Sequence, residues 1–287
     1  MEERRFSLSF YYNIYTMHNP FSVNSKIIML SGATGVLGKA IALHLAGQGA
    51  HVIILGRNPE KVGDLVSQIK NAGGAATVAV ADVTSETQLQ ALQTQLSQQF
   101  EHIDVLINAA GGNMPGAVVT PDQTIADLAS EDVKKIMDLN YLGTFLPVKT
   151  FLPLLKAAET ASIINISSMA ASRPMTRVMG YASAKAAVDN LTKWLAVEFA
   201  KKFGSHLRVN AVAPGFFLTE QNRQLLTEGD GSLTTRGNQI IEHTPMARFG
   251  DPEDLFGAIQ WLCSNASKFV TGTIIPVDGG FSAFSGV

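Results

Sequence analysis

Tyr181 and Lys185, four residues apart, are the two residues whose types and spacing most directly indicate catalysis in this sequence. They fall at the start of a long helical pattern, so both side chains project from one face of the predicted helix. A free phenol titrates near pH ~10, and a neighbouring cation stabilises its ionised form. The pair therefore predicts a tyrosine that acts as a general acid or base near neutral pH, with the lysine supplying the charge.

Two more polar residues belong to the same predicted chemistry. Ser168 follows a predicted strand, where its hydroxyl can polarise a substrate oxygen, and Asn140 can hold a water in a proton relay. The Tyr-x-x-x-Lys spacing occurs by chance in many proteins. Taken alone, it would be interpreted as a buried tyrosine next to a surface lysine, without a catalytic role. The four residues gain weight from the glycine-rich segment that precedes them.

A dinucleotide site is predicted where Ser31 to Gly38 separates a strand from a helix. Glycines there allow a tight turn and close approach of the backbone to a pyrophosphate, whose charge the helix N-terminus attracts. No acidic residue follows the second strand, and Arg57 can bind a 2′-phosphate, so the sequence favours NADP(H) and leaves NAD(H) and a merely solvated arginine open. The predicted cofactor contacts are Gly32, Thr34, Gly35, Val36, Leu37, Gly38, Arg57, Asn58, Asp82, Val83, Asn108, Ala109, Ala110 and Gly111.

Short apolar runs alternate with helical patterns from Lys26 onward, which predicts repeated βαβ units. Right-handed crossovers place the helices on both faces of the sheet and leave the ligand crevice at the carboxyl ends of the strands. We therefore expect an α/β fold: a single Rossmann-type domain over residues 17–287 with a doubly wound, seven-stranded parallel sheet. The predicted strands are Ile27–Leu30, His51–Leu55, Ala76–Ala81, Val105–Asn108, Ser162–Ile166, Arg208–Ala213 and Ile274–Val277.

Two helix starts are also predicted. Asn58 is expected to cap a helix that Pro59 opens, and Ser85 with Gln88 predicts a capping box at the start of the next helix.

Two segments depart from this alternation. The first 16 residues are charged and then aromatic, and we predict an appendage, with Met17 as a second candidate start and an ordered arm as the alternative. The stretch from Phe216 to Ala247 runs for roughly 30 residues without a clear period, which is too long for a simple connection. It predicts a substrate lid over about residues 216–247.

Composition narrows the class of partner. A net charge of −2 and a pI near 6.3 provide no basic field for nucleic acid, and no stretch is long and apolar enough to predict a membrane span. The single cysteine, Cys263, excludes an intrachain disulfide and indicates a reducing compartment, so we expect a cytoplasmic protein. No cluster has metal-ligand spacing, and no metal is predicted.

The chain resembles the short-chain dehydrogenase/reductase family from Lys26 to Val287, on the glycine-rich turn, Asn108 to Gly111, Asn165 to Ser168, and the Tyr-x-x-x-Lys pair. The resemblance implies an NAD(P)-dependent oxidoreductase acting on CH–OH groups, and a homotetramer packed through residues 250–287. Val36 stands where the family most often has glycine. The implied catalytic residues are Asn140, Ser168, Tyr181 and Lys185, and the implied nicotinamide-side contacts are Tyr181, Lys185, Pro214, Gly215, Phe217 and Thr219.

Within that family, five segments, among them Asn108 to Asn113 and Pro214 to Arg223, look like the D-mannonate oxidoreductases of the short-chain type, also called fructuronate reductases. This likeness implies interconversion of D-fructuronate and D-mannonate. Alternatives are a gluconate 5-dehydrogenase-like or 3-oxoacyl reductase-like enzyme, or a cofactor-binding regulator without turnover. A sugar acid calls for cations, amides and hydroxyls; the candidates are Asn113, Ser168, Arg173, Gln221, Asn222 and Arg223, with Arg177 or Arg248 as replacements for either arginine.

Overall fold

The computed structural model describes residues 19–219 and 222–286, without the side chain of Gln224; the predicted appendage at residues 1–16 lies outside them. Its seven parallel strands form one sheet in the order β3-β2-β1-β4-β5-β6-β7. The predicted doubly wound sheet is thus confirmed, with strand ends that differ by one residue at most. The strands are β1 (Ile27–Ser31), β2 (His51–Gly56), β3 (Ala75–Val80), β4 (Val105–Asn108), β5 (Ala161–Ile166), β6 (Leu207–Pro214) and β7 (Ile274–Val277).

Helices cover both faces of the sheet and divide the core into two layers. One layer packs α1, α2 and α9 against the sheet, and the other packs α3, α5 and α6 against the opposite face. The central strands β4 and β6 are buried along their whole length and are mostly apolar, because helices cover both faces of the sheet. The helices are α1 (Val36–Gly47), α2 (Pro59–Asn71), α3 (Glu86–Leu96), α4 (Ser130–Met137), α5 (Gly143–Ala157), α6 (Met179–Phe203), α7 (Arg223–Leu226), α8 (Thr235–Glu242) and α9 (Phe256–Cys263).

The predicted helix starts are formed with one change. Asn58 caps α2, since its Oδ1 accepts a hydrogen bond from Lys61 N at 2.9 Å. Ser85 caps α3 by accepting from Gln88 N at 3.4 Å, but the Gln88 side chain accepts from Asp82 N at 2.8 Å instead of returning to Ser85. Only half of the predicted capping box is therefore present, and its other half holds the loop after β3.

The predicted lid segment contains α7 and α8, joined by an antiparallel bridge between Thr227 and Leu233. The two short helices pack closely because Gly237 has no side chain: a Cβ there would lie 2.3 Å from the carbonyl oxygen of Leu226. Gly250 N donates to Phe216 O at 2.8 Å and closes the base of the segment. Its role as a lid remains a prediction.

Cys263 lies at the end of α9 in the core and is 2% exposed. Burial raises the pKa of its thiol to about 12, so the group stays protonated and unreactive at neutral pH. None of the described helices is long and apolar enough to cross a membrane. The described residues also contain no group of three or more His, Cys, Asp or Glu side chains that could hold a metal ion.

Candidate active site

The turn after β1 is pressed against the loop after β4. Gly32 adopts a positive φ of 67°, and a Cβ on it would lie 2.5 Å from the carbonyl carbon of Ala109. The Ser31 hydroxyl accepts hydrogen bonds from Ala109 N at 3.2 Å and from Ala110 N at 3.3 Å. Two of the segments predicted to hold the cofactor are therefore joined directly.

The rest of the turn presents the N-terminus of α1 at the carboxyl edge of the sheet. Gly35 N donates to Gly32 O at 3.1 Å, and no side chain caps the helix. A Cβ on Gly38 would lie 2.2 Å from Gly32 O, so this position admits only glycine. Val36 is 38% exposed, which explains why glycine is not required there. The uncapped amides and the cradle that a Cβ would fill fit a dinucleotide pyrophosphate.

The predicted adenosine end lies beyond β2 and β3. A Cβ on Gly56 would lie 3.6 Å from Cγ2 of Thr34, so this strand end and the glycine-rich turn adjoin. Burial acts to raise the pKa of Asp82, but hydrogen bonds from Thr84 and the positive charge of Arg57 hold it below its usual value. Arg57 is thus an exposed cation near an ionised carboxylate, a setting that fits either a ribose or a 2′-phosphate.

A buried series of amides ties the sheet to α6. Asn108 Nδ2 donates to Asn165 Oδ1 at 2.9 Å, and Asn165 Nδ2 donates to Thr192 Oγ1 at 2.8 Å. Within the described part of the protein, Asn108 Oδ1 is the one buried side-chain polar atom without a hydrogen-bond partner. Sequence reasoning named Asn165 only as part of a family motif, without this structural role, and missed Thr192. The available signal was a polar residue inside an otherwise apolar strand or helix face. These hydrogen bonds fix α6, with Tyr181 and Lys185, against β4 and β5.

Asn140 is fully buried in a π-helical turn (Asp138–Leu142) between α4 and α5. Its Nδ2 donates to Gly112 O and to Ile136 O, both at 2.9 Å, and its Oδ1 accepts from Gly112 N at 3.1 Å. A Cβ on Gly111 would lie 2.6 Å from Asn140 Oδ1 and 3.1 Å from Lys185 Nζ. Asn140 therefore holds the loop after β4, and its part in a water relay remains a prediction.

Lys185 is 4% exposed, and its Nζ donates to Ile166 O at 2.7 Å. Its Nζ lies 5.7 Å from the centre of the Tyr181 ring. Burial lowers the pKa of Lys185 to about 8, against the opposing charge of Asp189. Burial raises the pKa of Tyr181, and a hydrogen bond with Ser168 acts in the opposite direction. A single charged lysine and a protonated tyrosine are the expected state at neutral pH.

The structure separates two adjacent serines. Ser168 is partly exposed, bonds to Tyr181, and caps the short turn Met169–Ala171 by accepting from Ala170 N at 3.2 Å. Ser167 is buried and donates a short hydrogen bond to Asp189 Oδ1. Of the two, Ser168 is therefore the hydroxyl beside the tyrosine, as the family spacing implies.

Asp189 lies one helical turn beyond Lys185 and was not singled out from the sequence. Burial raises the pKa of Asp189, and the hydrogen bond from Ser167 and the charges of Lys193 and Lys185 lower it. The available signal was a carboxylate four residues after the lysine on the same helix face. Asp189 supplies the negative charge that opposes deprotonation of Lys185.

The loop after β6 is held against the C-terminal segment. Gly215 N donates to Val277 O at 2.9 Å, and a Cβ on Gly215, next to Pro214, would lie 2.7 Å from Asp278 Cα. The Phe217 side chain is buried in the core, so only its backbone can reach a cofactor. Thr219 N donates to Asn222 Oδ1 at 2.7 Å, which places Thr219 at the outer end of the loop.

The predicted substrate residues are dispersed. Arg173 Nε donates to Ser282 O at 2.9 Å, and Asn222 Nδ2 donates to Phe217 O at 2.8 Å, so both hold backbone segments. Asn113 and Arg223 are exposed, and Gln221 lies outside the described residues. Ser168, by contrast, lies against Tyr181.

Comparisons with known proteins agree with this geometry. A family model described as enoyl-(acyl carrier protein) reductase matches residues 32–282. An uncharacterized oxidoreductase of Bacillus subtilis (strain 168), UxuB, is 44% identical over 271 residues, covering 91% of this chain and 96% of that protein.

Two solved structures resemble the whole domain. A Haemophilus influenza protein provisionally named D-mannonate oxidoreductase, with bound NAD, has a TM-score of 0.86 at 39% identity and covers 93% of this chain and 98% of its own. A gluconate 5-dehydrogenase from Burkholderia cenocepacia J2315, in complex with NADP and tartrate, has a TM-score of 0.81 at 29% identity and covers 92% and 98%. This chain belongs to the short-chain dehydrogenase/reductase family of NAD(P)-dependent oxidoreductases.

Proposed function

We propose that this protein interconverts a keto sugar acid and its hydroxy acid, with D-fructuronate and D-mannonate as the pair. The observation that carries the proposal is the convergence of Ser168, Tyr181 and Lys185 at the carboxyl end of β5, beside the glycine cradle. The narrower substrate rests on the resemblance to proteins named for mannonate and gluconate oxidation.

The catalytic residues divide the work of carbonyl reduction. Bound nicotinamide cofactor supplies the hydride, or takes it up in the reverse direction. Tyr181 donates its phenolic proton to the carbonyl oxygen, while the Ser168 hydroxyl donates a hydrogen bond to the same oxygen. The Lys185 ammonium stabilises the phenolate that remains and can bond the nicotinamide ribose. Asn140 positions the loop over which the nicotinamide would lie.

For the cofactor we propose NADP(H), because Arg57 is exposed and no acidic residue stands directly after β2. Asp82 is the competing feature: its ionised carboxylate near Arg57 would repel a 2′-phosphate and accept a ribose hydroxyl. The two solved relatives hold NAD in one case and NADP in the other. NAD(H) is therefore the alternative.

We further propose a cytoplasmic homotetramer. Large apolar side chains are exposed on α6 at Trp194 (59%) and Val197 (56%), and Phe269 is fully exposed before β7. Exposed apolar patches of this kind mark protein–protein contacts. They support packing between copies of the protein through the region that begins at residue 250 together with α6.

The substrate is tested by NADPH and NADH oxidation with D-fructuronate, 5-ketogluconate and an acetoacetyl thioester. We expect D-fructuronate to give the highest kcat/KM, and NADPH to be preferred over NADH. If the protein reduces one of the other two ketones but not D-fructuronate, the proposed catalytic roles stand and the proposed substrate is wrong. A preference for NADH would contradict the role given to Arg57, and no turnover with any ketone would favour a cofactor-binding regulator.

Replacing Asp189 by asparagine is expected to move the alkaline limb of the pH profile to lower pH. Lys185, with a pKa of about 8, is charged below that pH and neutral above it. The carboxylate raises this pKa, so its removal lets the lysine lose its proton earlier. The ratio of kcat/KM at pH 9 to that at pH 7 should fall about threefold, an effect of less than one pKa unit.

Asp189→Glu is the control, because it retains the charge and should retain the wild-type profile. Asparagine can still accept the hydrogen bond from Ser167, so packing is preserved. An unchanged pH profile for Asp189→Asn, with or without a lower kcat, would show that Asp189 has only a structural role.

A further inference from the structure

Arg177 and Arg236 lie on two segments that meet just before α6 begins. Arg177 lies in the segment between Ser168 and Tyr181, just before α6 begins. Arg236 lies in the first turn of α8, within the predicted lid. Arg236 Nη1 reaches Thr176 Oγ1 at 3.5 Å, so α8 is placed against the segment that leads into α6.

These two guanidinium groups carry the same charge and have no acidic partner among the described residues. Arg236 contacts Thr176, the residue before Arg177, and both arginines are partly buried. Burial lowers the pKa of Arg236, and the positive charge of Arg177 lowers it further. Neither arginine forms an ion pair within the part of the protein that the structure describes. A partly buried pair of like charges is costly unless an anion neutralises it.

The backbone of Arg177 adds a second observation. Its φ of 74° lies in the left-handed region, which a residue with a long side chain rarely adopts. Val119 N donates to Arg177 O at 2.9 Å, so the segment after β4 holds this conformation. Such strained residues concentrate at binding sites. Arg177 therefore lies where the segments after β4 and β5 meet α8.

The other arginines considered for the substrate are either bonded to other protein groups or exposed. Arg248 donates to both carboxylate oxygens of Asp254, at 2.7 and 2.8 Å, and Arg173 bonds the carbonyl of Ser282. Arg223, on α7, is exposed, and its side chain forms no hydrogen bond or ion pair with the described residues. The Arg177 and Arg236 side chains differ from these because they are partly buried together.

We propose that Arg177 and Arg236 form an anion subsite that binds the carboxylate of the substrate. The proposal rests on the proposed function and names the group of the sugar acid that is recognised. Each planar guanidinium can donate two parallel hydrogen bonds to a carboxylate. The carboxylate and the keto group lie toward opposite ends of the sugar acid, so binding the carboxylate there would leave the keto group available to Ser168 and Tyr181. Arg236 was not among the residues singled out from the sequence.

The test is D-mannonate binding to the protein loaded with NADPH, measured by calorimetry, because this complex has no hydride acceptor and cannot react. The Arg177→Gln/Arg236→Gln variant should raise the Kd for D-mannonate at least about 30-fold, the effect of losing charge-assisted hydrogen bonds. Its Kd for NADPH should be unchanged, which also shows that it is folded. The corresponding double lysine variant should recover part of the affinity, because lysine keeps the positive charge but cannot donate two parallel hydrogen bonds from a planar group.

Lys201→Gln is the matched control, because it removes one positive charge from the far end of α6, where the side chain is exposed. It should bind D-mannonate as the wild type does. The two single glutamine variants keep the test valid should the double variant lose NADPH binding.

Three results would overturn the subsite. The first two are wild-type affinity in the glutamine variants and no D-mannonate binding by the wild-type protein with NADPH. The third is turnover of D-fructuronate that is independent of both arginines, which would keep the proposed function. Arginine-dependent binding of D-mannonate without turnover of either sugar acid would keep the subsite and overturn the proposed function.

Discussion

Replacing Tyr181 by phenylalanine is expected to lower kcat for ketone reduction by roughly a thousandfold, the usual contribution of a positioned general acid. The change removes only the hydroxyl that bonds to Ser168 and leaves the ring beside Lys185. Nicotinamide binding should therefore persist, with a Kd within about threefold of the wild type, because the glycine cradle and Lys185 are untouched. Steady-state kinetics and fluorescence titration with NADPH measure the two quantities separately.

Tyr141→Phe is the matched control for this change. Tyr141 lies in the π-helical turn, and its hydroxyl makes no hydrogen bond with the described residues, so removing it should leave kcat within about twofold. Full activity in Tyr181→Phe would remove the tyrosine from proton transfer. Loss of NADPH binding together with activity would instead indicate a structural role for its hydroxyl.

Replacing Gly38 by alanine is expected to destabilise the fold and the cofactor site together. A Cβ at this position would lie 2.2 Å from Gly32 O and 2.9 Å from Ala33 Cα, and backbone atoms cannot move aside as the end of a side chain can. The free energy of unfolding should fall by about 2–3 kcal/mol, as in overpacked cores. The Kd for NADPH should rise at least about tenfold, because the turn that presents the amides of α1 must shift.

Gly47→Ala, at the other end of α1, provides the comparison. No heavy atom lies within 4 Å of a Cβ built on Gly47, so the same substitution should leave stability within about 0.5 kcal/mol and NADPH binding unchanged. Urea unfolding measures the first quantity and titration the second. Equal effects of the two alanines would show that close packing of Gly38 against Gly32 is not what the cofactor site requires.

The strands and helices of this protein could be predicted from local sequence patterns, because both kinds of element are strongly periodic. The run Val105 to Ile107 is continuously apolar because a central parallel strand is buried on both faces. The start of α2 follows from Asn58 and Pro59, whose preferences act over one turn. The start of α3 was only half predicted, since the Gln88 side chain accepts a hydrogen bond from Asp82 N instead.

Residues whose roles depend on distant partners were not readable in this way. Asn165, Thr192 and Asp189 look like isolated polar residues in apolar segments, and their partners are set by how α6 packs on β4 and β5. Arg173 offered the same charge as Arg177 in the sequence. In the structure, however, Arg173 donates a hydrogen bond to Ser282 O in the C-terminal segment, more than 100 residues later.

The sequence by itself determined the family, the doubly wound sheet, the glycine-rich turn and the pairing of Tyr181 with Lys185, because each is encoded over a few residues or by a regular period. The tertiary structure alone decided the surroundings that set the charges: the burial that lowers the pKa of Lys185, the carboxylate of Asp189 that opposes it, and the approach of Arg236 to Arg177. Desolvation and Coulomb interactions depend on distances between segments far apart in the sequence, and these distances exist only after folding.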